Sequence, residues 1–95
     1  MTYVTIRKYA QDSGLGAELA AQQDSVKSIM SVIPGFQAYY FVVAADGSAA
    51  SVTVCDDQAG SDASTKAAAT WIAENLPDLS AAPPTITAGE VVMSF

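Results

Sequence analysis

Arg7 sits in the run YVTIRKY with Thr5 two residues before it and Tyr9 two after, and a guanidinium so flanked can hold a ligand carboxylate or a developing oxyanion. Its competing role is an ion pair with Glu90 on the final strand, which should neighbour the first. Tyr39 and Tyr40, adjacent in GFQAYYFVV, each carry a phenol that can orient a phenolic substrate or pack in a core or an interface. Adjacent strand residues point to opposite faces, so the pair cannot line one pocket together. Trp71 offers an apolar wall with one N–H donor, and equally a means of packing a helix on a sheet. Arg7, Tyr39, Tyr40 and Trp71 are therefore the candidate ligand-binding residues.

Other chemistries lack parts. There is no histidine, which removes the commonest general base and the commonest metal ligand together. Cys55 has Asp56 and Asp57 as neighbours, which raise a thiol's pKa, so its role reads as structural. The carboxylates of CDDQAGSD lack the alternate-residue spacing and closing glutamate of a calcium loop, and helix capping explains them. Gly14-x-Gly16 lacks the third glycine of a dinucleotide fingerprint. No nucleophile–base pair and no metal set stand out, and catalytic residues stay unassigned.

Composition narrows the partners. Hydrophobic residues make up 51% and charged residues 15%, too apolar for a disordered chain. Net charge is −6, and the basic residues Arg7, Lys8, Lys27 and Lys66 form no patch, so nucleic acid is not expected. No apolar run approaches the ~18 residues of a membrane span, and MTYVTIRKYAQDSG lacks the order of a signal peptide. With a single cysteine, these features predict a cytoplasmic protein without internal disulfides or membrane contact.

The elements that must position the candidates follow from periodicity. Residues 2–9 alternate as a strand, with Val4 and Ile6 on one side and Tyr3, Thr5, Arg7 and Tyr9 on the other. Asp12 or Ser13 can cap a helix from about Leu15, whose stripe is Leu19, Val26, Ile29, Met30 and Ile33. Pro34-Gly35 stops it. A second strand runs to Asp46-Gly47, a strong two-residue hairpin signal, and Ala49–Cys55 forms the third. Asp57, Ser61 or Asp62 can cap a second helix reaching about Leu76, ended by Pro77. After the connector LPDLSAAPP, residues 85–95 read as a last strand interrupted near Ala88-Gly89.

The order β-α-β-β-α-β is the ferredoxin-like, split-βαβ pattern, an α+β fold in a single domain over 1–95. It implies a four-stranded antiparallel sheet in the order 4-1-3-2 with two helices on one face. Nothing is left to cover the other face, yet by parity it carries Tyr3, Thr5 and Tyr9, with Thr53 and one large residue from the second strand. A second copy packing sheet on sheet answers this, so a homodimer is expected with those residues at its interface.

IPGFQAYYFV, SVTVCDD, STKAAATWI and the closing GEVVMSF resemble the dimeric α/β-barrel superfamily, and within it small proteins of the antibiotic-biosynthesis-monooxygenase type. The resemblance covers nearly the whole chain. It implies ferredoxin-like subunits whose sheets face each other in a barrel, and a cofactor-independent monooxygenase acting on a hydrophobic aromatic or quinol. Haem-degrading members use an Asn, Trp and His set. This chain lacks histidine, places Cys55 where many relatives have an aromatic, and carries Trp71 on its second helix, so haem degradation is not implied. The alternatives are a non-catalytic dimeric module binding a small apolar ligand or a protein partner, and a relative that only dimerises. An enzyme of this type requires a cavity of ~300 Å³ or more touching a polar side chain.

Overall fold

In the computed structural model, which describes residues 2–9, 19–75 and 84–95, the chain forms six elements. They are β1 (Tyr3–Tyr9), α1 (Gln23–Ser31), β2 (Phe36–Val43), β3 (Ala49–Cys55), α2 (Gln58–Asn75) and β4 (Thr85–Glu90). The strands pair antiparallel in the order β2-β3-β1-β4, which is the expected 4-1-3-2 viewed from the other edge. This is the ferredoxin-like α+β architecture.

Local chemistry explains most boundaries. Residues 19–21 are helical, Gln22 leaves helical geometry at φ −115° and ψ 32°, and α1 follows. The continuous helix expected from about Leu15 is thus broken at Gln22; Asp12, Ser13, Leu15 and the Gly14-x-Gly16 pair lie outside the described residues. Leu19, Val26, Met30 and Ile33 of the apolar stripe are buried as their spacing requires. Phe36 N–H donates to Ile33 C=O across Pro34-Gly35, with Gly35 at φ 81°, a type II turn that requires glycine at its third position.

The β2–β3 connection differs from the two-residue turn expected at Asp46-Gly47. Ala44 N–H donates to Ser48 C=O and Gly47 N–H to Ala44 C=O, with Gly47 at φ 90°. This is the three-residue loop in which a turn is followed by a left-handed glycine. Of the offered caps for α2, Asp57 is used: its Oδ1 accepts the Gly60 N–H at 3.0 Å. The helix is described to Asn75, and residues 76–83 of the Pro-rich connector lie outside the described part. β4 pairs with β1 through Gly89 without a shift, so the expected interruption there is absent, and the strand ends at Glu90 rather than Phe95.

The sheet faces are the reverse of those expected for β1. Thr5, Arg7 and Tyr9 are buried with Thr53, Ser51 and Ala49 beneath the helices, and Tyr3 shares their parity. Val4 and Ile6 lie on the face without helices, beside Val54 and Val52. Tyr3, Thr5, Tyr9 and Thr53 are therefore not on the open face, where the interface was expected. The reason is that the helical layer is partly polar. An apolar zone of Tyr9, Leu19, Val26, Met30, Ile33, Trp71 and Ile72 fills one end of it. Thr5, Arg7, Ser51, Thr53, Ser61 and Ser64 fill the rest. The strand register puts hydroxyls beside the guanidinium, so a polar face can be buried fully satisfied. Tyr39 shares the helical face, and Tyr40, 60% exposed, belongs to the open one with Val42.

Candidate functional site

Arg7 is 1% exposed and pairs in register with Ser51 of β3. Its Nε donates to Ser51 Oγ at 3.1 Å and its Nη2 to Thr53 Oγ1, both on the neighbouring strand. From α2, Ser64 Oγ accepts from Nη1 at 3.3 Å and Thr65 Oγ1 at 3.0 Å. Ser64 is fixed in that role because its own proton goes to the Ser61 carbonyl at 2.7 Å, leaving its lone pairs for the guanidinium. One row along, Thr5 and Ser61 bridge β1 to α2 hydroxyl to hydroxyl. Positions 61, 64 and 65 lie on one face of α2, and 51 and 53 on one face of β3, so both periodicities converge on Arg7.

Among the described residues, no carboxylate takes part in this cluster. The expected Arg7–Glu90 pair does not form, because the register sets Glu90 opposite Tyr3 and Ile86 opposite Arg7. A buried cation held only by neutral acceptors keeps its field, which acts on whatever lies nearby.

Tyr39 is the next polar group outward. It lies near Ser51, the serine that accepts from Arg7 Nε. Burial pushes the phenol above its ordinary pKa of 10.0 and the nearby Tyr9 adds to this, while Arg7 and Ser51 act in the opposite sense. Tyr39 is therefore a neutral phenol at physiological pH, able to donate a proton to an acceptor.

Tyr39 also lines a cavity of about 640 Å³ between α1 and the edge strand β2. Leu19, Val26 and Met30 form its helical wall, and Phe36, Ala38 and Phe41 its strand wall. Among the described residues, the polar ones at its surface are Gln23, Lys27, Tyr39 and Tyr40; the two tyrosines lie on opposite faces, yet both border this cavity at the edge strand, contrary to the expectation that they cannot line one pocket. An apolar slot with few polar groups suits a flat, largely hydrophobic molecule carrying an oxygen or two.

The other candidates fall elsewhere. Trp71, 6% exposed, belongs to the apolar core and does not line the cavity; its Nε1 donates to Ser25 Oγ at 3.0 Å, tying α2 to α1. Cys55 is sealed at 0% exposure, and burial with Asp57 and Asp56 pushes its thiol above the usual value against the pull of Arg7. Among the described residues, no three of His, Cys, Asp and Glu gather as a metal site. No helix among them is long and apolar enough to cross a membrane. Ser51, Ser64 and Thr65 escaped the sequence reading, although the matched hydroxyl spacing on β3 and α2 was the available signal.

No family model and no curated protein matches the chain. Solved structures do. A putative antibiotic biosynthesis monooxygenase from Bordetella bronchiseptica superposes with a TM-score of 0.73 at 14% identity, covering 97% of this chain and 98% of that one. A protein of unknown function from Nitrosomonas europaea gives 0.74 at 20% identity, with 99% and 92% covered. A heme-degrading protein from Mycobacterium tuberculosis, solved heme-free, gives 0.63 at 22% identity, with 100% and 99% covered. Over essentially its full length, this chain thus has the ferredoxin-like fold of structures of the antibiotic-biosynthesis-monooxygenase type.

Proposed function

We propose that this chain is a small, cofactor-independent monooxygenase-like protein that takes a hydroxylated aromatic, of quinol or polyphenol type, into the cavity between α1 and β2. The observation that carries this reading is the Tyr39 phenol on the wall of a largely apolar cavity of about 640 Å³. The lining grips ring faces, Tyr39 orients a ring oxygen, and an electron-rich substrate carbanion supplies electrons to dioxygen. In the keto tautomer of such a phenol a ring carbon is CH₂; one oxygen atom enters there as a carbonyl and the other leaves as water, so CH₂ becomes C=O without an external reductant. The Asn, Trp and His set of the haem-degrading proteins is incomplete here: there is no imidazole, and the one thiol is sealed and off the cavity.

A second reading, a binding module without turnover, is favoured by one feature. Among the described residues, no carboxylate or imidazole lines the cavity to take a substrate proton. Oxygen-electrode assays over a panel of quinols and polyphenols separate the two. Saturable uptake that Tyr39→Phe abolishes supports the enzyme, and saturable binding without uptake supports the module.

The open sheet face completes the proposal. Tyr40, Val42 and Ile6, exposed at 60, 54 and 36%, form with Val4, Val52 and Val54 an apolar surface suited to a second copy of the chain. A stable pairing needs roughly 800 Å² per partner, and Tyr40→Asp would bury an unpaired charge within it. Light scattering behind size exclusion should show a dimer for the natural chain and a monomer for Tyr40→Asp; a natural monomer at high micromolar concentration refutes the pairing.

A further inference from the structure

We propose that the ligand site is completed by a second copy of the chain, so that binding in the cavity and pairing of the open sheet faces strengthen each other. This deepens the cavity reading above and rests on it. The inference comes from the two faces of β2. Tyr39 and Phe41 share a face with Thr53 and Ser51 beneath the helices, whereas Ala38 and Tyr40 share the other with Val54 and Val52. All four of these β2 residues line the one cavity. Opposite faces of a strand meet a common space only at a sheet edge, where no further strand lies alongside. β2 is such an edge in the order β2-β3-β1-β4. The cavity therefore wraps around it, from the layer of α1 to the helix-free side.

The helix-free side is where the walls run out. Tyr40 is 60% exposed, although it borders the cavity. The register sets it beside Val52, and Val52 beside Ile6, so the cavity mouth continues through apolar neighbours into the open sheet surface. Any chain lying on that surface meets the mouth at Tyr40. A second copy is the occupant that the charges favour. Each chain carries a net charge of −6, so two copies repel each other overall. Among the described residues, the open-face positions of the four strands include no carboxylate, and Lys8 is the one charge on them. Like chains can approach there with least repulsion, and apolar side chains of the partner then cover the flank of a ring resting on Tyr40.

The probe is 2-naphthol, followed by equilibrium dialysis. Ile6→Asp puts a charge on the open face at a position that does not line the cavity, so it should give a monomer. That monomer should bind 2-naphthol about tenfold more weakly than the natural dimer, the effect of leaving about 50 Å² of ring surface uncovered. Binding and pairing are reciprocal, so with a site in each protomer, saturating 2-naphthol should lower the dissociation constant of the natural dimer about 100-fold, read by sedimentation equilibrium. This second measurement uses no variant and stands even if Ile6→Asp does not fold. A monomeric Ile6→Asp with the natural affinity, a dimer that survives Ile6→Asp, or a dimer constant that 2-naphthol leaves unchanged overturns the proposal. Absence of 2-naphthol binding overturns the cavity reading. A natural chain that stays monomeric at high micromolar concentration with 2-naphthol bound overturns the pairing alone, and the inference falls with either.

Discussion

Replacing Thr53 by valine keeps the shape of a fully buried side chain and deletes one hydroxyl, the acceptor for Arg7 Nη2. Arg7 is itself 1% exposed, so water cannot take the vacated place without opening the core. An unsatisfied buried donor costs about 1–3 kcal/mol, toward the upper end when charged. The added methyl returns a little under 1 kcal/mol of apolar burial. The net loss should be about 2 kcal/mol, which in a domain of this size lowers Tm by roughly 8–16 °C. Urea titration followed by far-ultraviolet circular dichroism measures it, with an unchanged m-value as the sign that the native state is intact. Thr87→Val, at an exposed position of β4, should stay within about 0.5 kcal/mol of the natural chain. The decisive quantity is the coupling. In an Arg7→Met background the unsatisfied donor is gone, so Thr53→Val should cost nothing, giving an interaction energy of about 2 kcal/mol in the double-mutant cycle. Equal costs in both backgrounds would refute the hydroxyl-held guanidinium as the organising feature of this core.

Three further outcomes follow from the packing and the titrating groups. Gly60→Ala should destabilise by about 1–2 kcal/mol in the same titration, because the new methyl would lie 3.0 Å from both Cys55 Cβ and the Pro34 carbonyl, and overpacking outweighs the helix-propensity gain of about 1 kcal/mol. Cys55 should resist iodoacetamide in the native protein at neutral pH and take up one equivalent in denaturant, read by mass spectrometry, since its thiol is buried and its pKa raised. Tyr39 binds its proton more tightly folded than unfolded, so its contribution is intact below the unfolded value of 10.0 and is lost as pH rises through the folded value. Tyr39→Phe should therefore show a flatter decline in stability than the natural chain between about pH 9 and about pH 11.

The fold was readable because the changes of period are sharp: alternation to Tyr9, helical spacing from Leu19 to Ile33, the Pro34-Gly35 stop, and a glycine at the hairpin. The β1 parity was not. Val4 and Ile6 look like an inward face, and Thr5, Arg7 and Tyr9 like an outward one, under the rule that apolar residues point in. That rule assumes an apolar interior on one side and water on the other. Here the interior beneath α2 is built from a guanidinium and hydroxyls, while the apolar edge of β1 points to the helix-free side. Adjacency put Tyr39 and Tyr40 on opposite faces in advance, but only the register says which is which. Trp71 was distinguishable from a cavity residue only once its N–H was seen to reach Ser25.

The most direct measurement is a crystal structure of the chain soaked with a naphthoquinol. The account predicts the ring between α1 and β2, against Val26, Met30 and Phe41, with one ring oxygen within hydrogen-bond distance of Tyr39 Oη. A ring bound on the open sheet face, or seated between α1 and β2 with its oxygens turned away from Tyr39, would contradict it.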